Sequence, residues 1–251
     1  MKLKFALAFA LSLAAISSSA LAAELKLLSV GTVAVVLRDV LPMYERESGN
    51  RVQVTYGNPV TTVERLRRGE SFDVAILATA VWGDAEKLGK LDLETRIELP
   101  ATPFGLATKT GTKNRDIMEV AAFLRIASEA TAIGLVDRSP ATAVLMRNLA
   151  PHGIASQVEA KVKVFATGEV VAEAVDHGQV QIGITTLSEL LSNPAITVLG
   201  TMPPQILAVK ARSSAAVTKE TSSAREAFAF LQFLKSSAVL SVFNAKGFDP
   251  S

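Results

Sequence analysis

Apolar positions along this chain alternate between two periods, and each switch of period marks a change of element. Residues 25–30, Leu-Lys-Leu-Leu-Ser-Val, are mostly apolar and read as a buried strand, which Gly31-Thr32 breaks. Val33, Val36, Leu37, Val40 and Tyr44 then recur at helical spacing and predict an amphipathic helix, kinked at Pro42 and ended by Ser48-Gly49-Asn50. Residues 51–56 alternate and are rich in β-formers, so they read as a second strand. Asn58-Pro59 looks like a helix cap followed by proline at the first helical position, with Thr61 to Glu64 as an alternative capping box. Gly69 closes this short helix, residues 73–78 form a third strand, and residues 82–88 a further helix.

A second alternating block follows a change of character at 100–113. Residues 104–109 read as a strand, 118–129 as a helix and 132–136 as a strand. Ser139-Pro140 repeats the cap-plus-proline start and leads to a helix running to Leu149, which Pro151-His152-Gly153 stops. Strands at 162–165 and 182–185 flank a helix at 169–176. Residues 196–199 precede Met202-Pro203-Pro204, 206–211 are expected to return to the first block, and 224–234 and 238–243 are closing helices. Strand–helix alternation of this kind implies mainly parallel sheets flanked by helices, hence an α/β fold. The two changes of character divide the chain into a first lobe of 23–103 plus 205–251 and a second lobe of 104–204.

The N-terminus changes the picture. Lys2 and Lys4 precede an apolar run over 5–16, and Ala20-Leu21-Ala22 fits a cleavage site. Residues 1–22 therefore read as a secretory signal peptide, since the run is too short to cross ~30 Å of hydrocarbon. Its removal implies a periplasmic protein. The formal charge of +2 includes Lys2 and Lys4, so the remainder is close to neutral and carries no electrostatic footprint for nucleic acid. The chain has no cysteine, which excludes disulfides, thiol catalysis and thiolate metal sites. Residues 23–251 suffice to bury a core without them.

Four strand-to-helix junctions carry small or hydroxylic residues: 29–32, 58–62, 139–142 and 167–168. Each places main-chain N–H groups and a hydroxyl at a helix start, where the partial positive charge suits an anion. Glu169, in the first turn of one such helix, opposes one. Open α/β sheets bind ligands at such strand ends. His152 and His177, the chain's two histidines, follow helices and read as loop residues. Asp137-Arg138 reads as a turn ion pair, and Trp82 as an anchor between helix and sheet. No metal-ligand spacing and no phosphate loop occur, so no cofactor and no metal is expected, and the chain is expected not to be an enzyme.

Several segments together are similar to the periplasmic molybdate-binding-like family of type II solute-binding proteins. They are Leu28-Ser-Val-Gly-Thr32, Pro42-Met-Tyr-Glu-Arg-Glu-Ser-Gly49, Tyr56-Gly57, Gly69, and Phe72-Asp-Val-Ala-Ile-Leu77 with Trp82 and Leu88. Gly178-x-x-x-x-Gly183-Ile184, and Phe233-Leu234 running to Lys246-Gly247-Phe248, complete the set. The resemblance implies two lobes joined by two crossing strands, a ligand held between them, and delivery to an ABC-type permease in the inner membrane by a monomeric receptor. It implies a tetrahedral oxyanion held by hydroxyls and N–H groups. The family's first-lobe serine falls on Thr32, next to Gly31. A second falls near Pro59, which offers neither hydroxyl nor N–H, so Asn58 or Thr61 substitutes. A second-lobe tyrosine falls on Thr186, and the second-lobe main-chain donors near Thr142 and Gly168.

The expected function is thus the extracytoplasmic solute-binding component of an ABC importer, taking a molybdate-like oxyanion. An exported dehydratase-like enzyme on the same scaffold, a receptor for a small organic acid and a sensory module are the alternatives.

Overall fold

The computed structural model describes residues 23–111 and 117–249; the expected signal peptide lies outside them. The first sheet starts with β1 (Glu24–Val30), followed by α1 (Ala34–Ser48) and β2 (Arg51–Gly57). Then come α2 (Pro59–Arg67), β3 (Val74–Ala78), the short α3 (Trp82–Glu86) and β4 (Ile97–Glu98). Pro42 sits on the exposed side of α1, where its missing N–H meets solvent rather than core. Gly49, at φ 74°, ends that helix in the left-handed region that a side chain would disfavour.

The chain then enters the second sheet with β5 (Thr102–Lys109). It continues through α4 (Val120–Glu129), β6 (Ile133–Val136), α5 (Pro140–Leu149), α6 (Ala155–Glu159) and β7 (Val162–Phe165). After α7 (Gly168–Asp176), β8 (Ile182–Thr186), α8 (Leu187–Leu191) and β9 (Ile196–Thr201) come α9 (Pro204–Leu207) and β10 (Lys210–Ala211). The return to the first sheet is made by β11 (Ser213–Val217), and α10 (Ala224–Leu234) and α11 (Ser237–Ala245) close the fold.

The first sheet has the order β2-β1-β3-β11-β4 and the second β10-β5-β8-β6-β7, with β9 also on β5. Neither is purely parallel. β1 pairs in parallel with β2 and β3, while β11 runs antiparallel to β3 and β4; β6 pairs in parallel with β7 and β8, while β5 runs antiparallel to β8, β9 and β10. The antiparallel members are those nearest the crossings, where the chain passes between sheets.

The second crossing falls at Arg212, between β10 and β11, and not at Met202-Pro203-Pro204. The reason is packing: Ile206 and Leu207 are buried in the core of the second sheet with Phe123, Leu145 and Leu149, so 204–211 stay with that lobe. The main core of the first lobe gathers Leu25, Leu27, Val36, Val40 and Tyr44 against Phe230, Leu234 and Phe243 from the closing helices. Tyr44 meets the Phe230 ring edge-on, centroids 5.0 Å apart, and these buried rings add to the apolar stabilisation of the surrounding Leu and Val side chains. Among the described residues no single helix is long and apolar enough to cross a membrane.

Candidate functional site

A cavity of about 350 Å³ lies between the two lobes, within the range of small-molecule sites. The first lobe lines it with Gly31, Thr32, Asn58, Pro59 and Thr79. The second lobe contributes Phe104, Ser139, Thr167, Gly168, Thr185 and Glu189, and the crossing segment adds Lys210, Arg212 and Ser213. All these residues sit at strand ends or helix starts, the switch points of α/β sheets.

The decisive feature is Glu189. It lies in the first turn of α8 and is 3% exposed. Its Oε2 accepts the Thr185 hydroxyl at 2.7 Å and the Thr186 hydroxyl at 2.6 Å, and its Oε1 accepts the Gly168 N–H at 3.2 Å. Burial pushes this carboxyl above the usual carboxylate range, the Thr186 and Thr185 hydroxyls and the Gly168 N–H pull it back, and the charge of Glu169 adds to the rise. An ionised carboxylate has about four lone-pair sites, so three donors leave Oε1 with one free.

The two lobes touch around this group. Ser188 Oγ donates to the Thr32 carbonyl at 3.3 Å, and a Cβ built on Gly31 would stand 3.5 Å from Glu189 Oε1. Two ion pairs also cross the cleft. Arg38 Nη1 of α1 lies 2.7 Å from Glu169 Oε1 of α7, a charge contact off the hydrogen-bond line, and Arg138 Nη1 lies 3.0 Å from Glu64 Oε1 of α2. Glu169 therefore does not face the cleft as a lone anion. Near that pair, burial pushes the Tyr56 phenol up, with Arg38 opposing.

The structure brings together Gly31, Thr32, Asn58, Pro59, Gly168 and Thr186 on the cavity wall, and leaves Thr61 and Thr142 off it. Thr61 is consumed by its own helix. Its hydroxyl accepts the Asn58 N–H at 2.9 Å while Asn58 Oδ1 accepts the Thr61 N–H, a reciprocal cap that selects Asn58, and not Thr61, as the helix start. Thr142 is on a side of α5 away from the wall, which Ala141 and Val144 line on either side of it in sequence, and Ser139, whose side chain makes no cap bond, takes its place there. Thr186 is present, but its hydroxyl is spent on Glu189. Of the four helix starts, Pro59 and Pro140 bring no N–H to an anion.

His152 and His177 are exposed and off the wall. Asp137-Arg138 does form a turn pair at 3.5 Å, with Arg138 also reaching Glu64. Trp82 is buried against helix and sheet, with the Arg96 guanidinium 4.3 Å from its ring centroid. Among the described residues no three His, Asp or Glu side chains cluster as a metal site. Glu189 was missed because a single acid in Leu187-Ser-Glu-Leu-Leu191 looks like the solvent side of a helix. The signal that could have found it is the apolar flank on both sides of a five-residue helix.

Known proteins give three findings. A family model described as "Bacterial extracellular solute-binding protein" matches residues 25–249. A relative from Pseudomonas sp. named aconitate isomerase is 27% identical over 232 residues, 90% of this chain and 87% of its own. Among solved structures, the periplasmic molybdate-binding protein of Azotobacter vinelandii superposes with a TM-score of 0.76 at 14% identity, covering 90% of this chain and 98% of its own. The sulfate-binding protein SubI of Mycobacterium tuberculosis H37Rv gives 0.73 at 16% identity, covering 91% and 87%. These superpositions show the fold, a two-lobed periplasmic binding protein. The enzyme name of the Pseudomonas relative overturns the expectation that the chain is not an enzyme, an expectation drawn from the scarcity of histidines and the lack of metal-ligand and phosphate-loop motifs.

Proposed function

The chain belongs to the bacterial extracellular solute-binding protein family, and on that premise we propose that its cleft binds a small unsaturated polycarboxylate, of the aconitate type, and moves a proton along it. The observation that carries this reading is Glu189. The second-lobe donors that would hold a tetrahedral oxyanion, the Gly168 N–H and the Thr185 and Thr186 hydroxyls, are already taken by a resident carboxylate. Molybdate is therefore the less favoured ligand. What remains is a buried carboxyl of raised proton affinity facing a ligand-sized cavity, a candidate general base.

Aconitate interconversion suits one such group. Glu189, ionised, takes a proton at Oε1 from the ligand's methylene carbon, which is acidified by its neighbouring carboxylate. The freed electron pair forms a new C=C bond while the old one shifts its electrons to the far carbon. The protonated Glu189 returns the proton there. Atoms and charge balance without oxidant or cofactor. Closure of the lobes, with Thr32 and Ser188 in contact, excludes water that would otherwise quench the carbanion. The family also supports a second, compatible role: presentation of the same acid to an ABC permease from the periplasm.

The test follows cis-aconitate by proton NMR in D2O with the purified protein. Appearance of the trans isomer, free of deuterium because Glu189 returns the proton it took, supports the proposal, and Glu189→Gln should slow it by about 10²-fold or more. Calorimetric binding of aconitate without any turnover would overturn the isomerase and leave the receptor role.

A further inference from the structure

Glu189 is the acid on the cavity wall, so a polyanionic ligand needs a cation there. Two lining residues carry one, Lys210 and Arg212. Lys210 Nζ is held 2.8 Å from Asp249 Oδ2. The two arginines that cross the cleft are likewise committed, Arg38 to Glu169 and Arg138 to Glu64. Arg212 is paired with no acid among the described residues, and its side chain is exposed.

We infer that Arg212 is the carboxylate anchor of the cleft, the residue that selects acids carrying a carboxylate away from the reacting carbons. This rests on the polycarboxylate reading above. The main chain fixes its position from both sides. Ala211 is in register with Thr102 of the second sheet, Ser213 with Ala78 of the first, and the Arg212 carbonyl accepts the Thr79 N–H at 2.9 Å. Arg212 is thus the single residue joining β10 to β11, where the chain crosses from the second sheet to the first. A planar guanidinium matches a carboxylate with two parallel hydrogen bonds, which a lysine in its place would not reproduce. A ligand tied there and reaching Glu189 in the second lobe contacts both the crossing segment and the catalytic wall. Ligand charge and lobe closure are then read by one bond. Arg212 positions the acid and takes no part in proton transfer.

The experiment measures calorimetric affinity for tricarballylate, a saturated tricarboxylate that cannot isomerise, and steady-state kinetics with cis-aconitate. It compares the wild type with Arg212→Gln and Arg212→Lys. Loss of one charge-assisted contact predicts a rise of about 10- to 100-fold in both Kd and KM for Arg212→Gln. The kcat should stay within a few-fold and the ligand-free Tm unchanged, because removal of uniform binding leaves chemistry intact. Arg212→Lys should recover part of the affinity. Equal Kd and KM in wild type and Arg212→Gln overturns the anchor while the polycarboxylate reading stands. A wild type that neither binds tricarballylate nor turns over cis-aconitate overturns both.

Discussion

Gly168 and Glu189 are in such close contact that no Cβ fits between them: the Gly168 N–H donates to Glu189 Oε1 at 3.2 Å, and a methyl on Gly168 would overlap the carboxylate and the Thr185 hydroxyl. The start of α7 and the start of α8 are thereby locked together, and the lock is made of the groups that face the ligand.

Gly168→Ala tests this contact. Away from crowding, Gly→Ala stabilises by about 0.4–1 kcal/mol through the unfolded chain. Here the overlap forces the carboxylate or the helix start to move, which typically costs about 1–3 kcal/mol. The expected net effect is a loss of stability, read from urea denaturation, together with a fall in kcat. A more stable variant would mean that the cleft wall yields freely.

The buried Glu189 carboxyl gives stability a pH dependence whose sign follows from its raised proton affinity. The folded protein holds this proton more tightly than the unfolded chain. The contribution is therefore fully present below the ordinary carboxylate pKa, and is lost as pH rises from there through the folded-state pKa. Glu189→Gln removes the titration. Its stability relative to wild type should rise across that window and stay level outside it. A difference that is flat with pH would show that Glu189 titrates at its ordinary value.

Thr32→Ala separates ligand recognition from fold. The Thr32 hydroxyl lines the cavity, and no hydrogen bond to it was found among the described residues, so its loss should move Tm very little. Affinity for the cleft ligand should fall by about 10-fold or more if the hydroxyl donates to a carboxylate. Unchanged affinity would place the ligand elsewhere in the cavity.

Much of this was written in the order of residues. The run at 25–30, the helical spacing to Tyr44 and the cap Asn58-Pro59 all act locally, and each became the expected element. β11 did not declare itself, because Ser213-Ser-Ala-Ala-Val217 has small residues with little strand preference; it is a strand because β3 and β4 hold it from both sides. The site was half legible. Helix-start hydroxyls and main-chain donors are local features, so Thr32 and Gly168 could be named from sequence. Glu189 and Arg212 matter through partners far along the chain, or through the lack of them, and no local pattern encodes that.

The two ion pairs across the cleft, Arg38–Glu169 and Arg138–Glu64, predict how closure responds to salt. Exposed pairs of this kind contribute about 0–1 kcal/mol each and are screened as ionic strength rises. Arg38→Ala combined with Arg138→Ala should therefore weaken ligand binding by at most about 30-fold at low salt and flatten its salt dependence. Arg138 offers a sharper separation. It holds a φ of 49°, in the left-handed region that disfavours a side chain by about 1–2 kcal/mol. Arg138→Gly relieves that strain while cutting the bond to Glu64, and glycine's extra freedom in the unfolded chain offsets part of the relief. Stability should stay within about 1 kcal/mol of wild type while affinity falls. Parallel losses of stability and affinity would mean that Arg138 supports the fold of the second lobe and does not hold the lobes together.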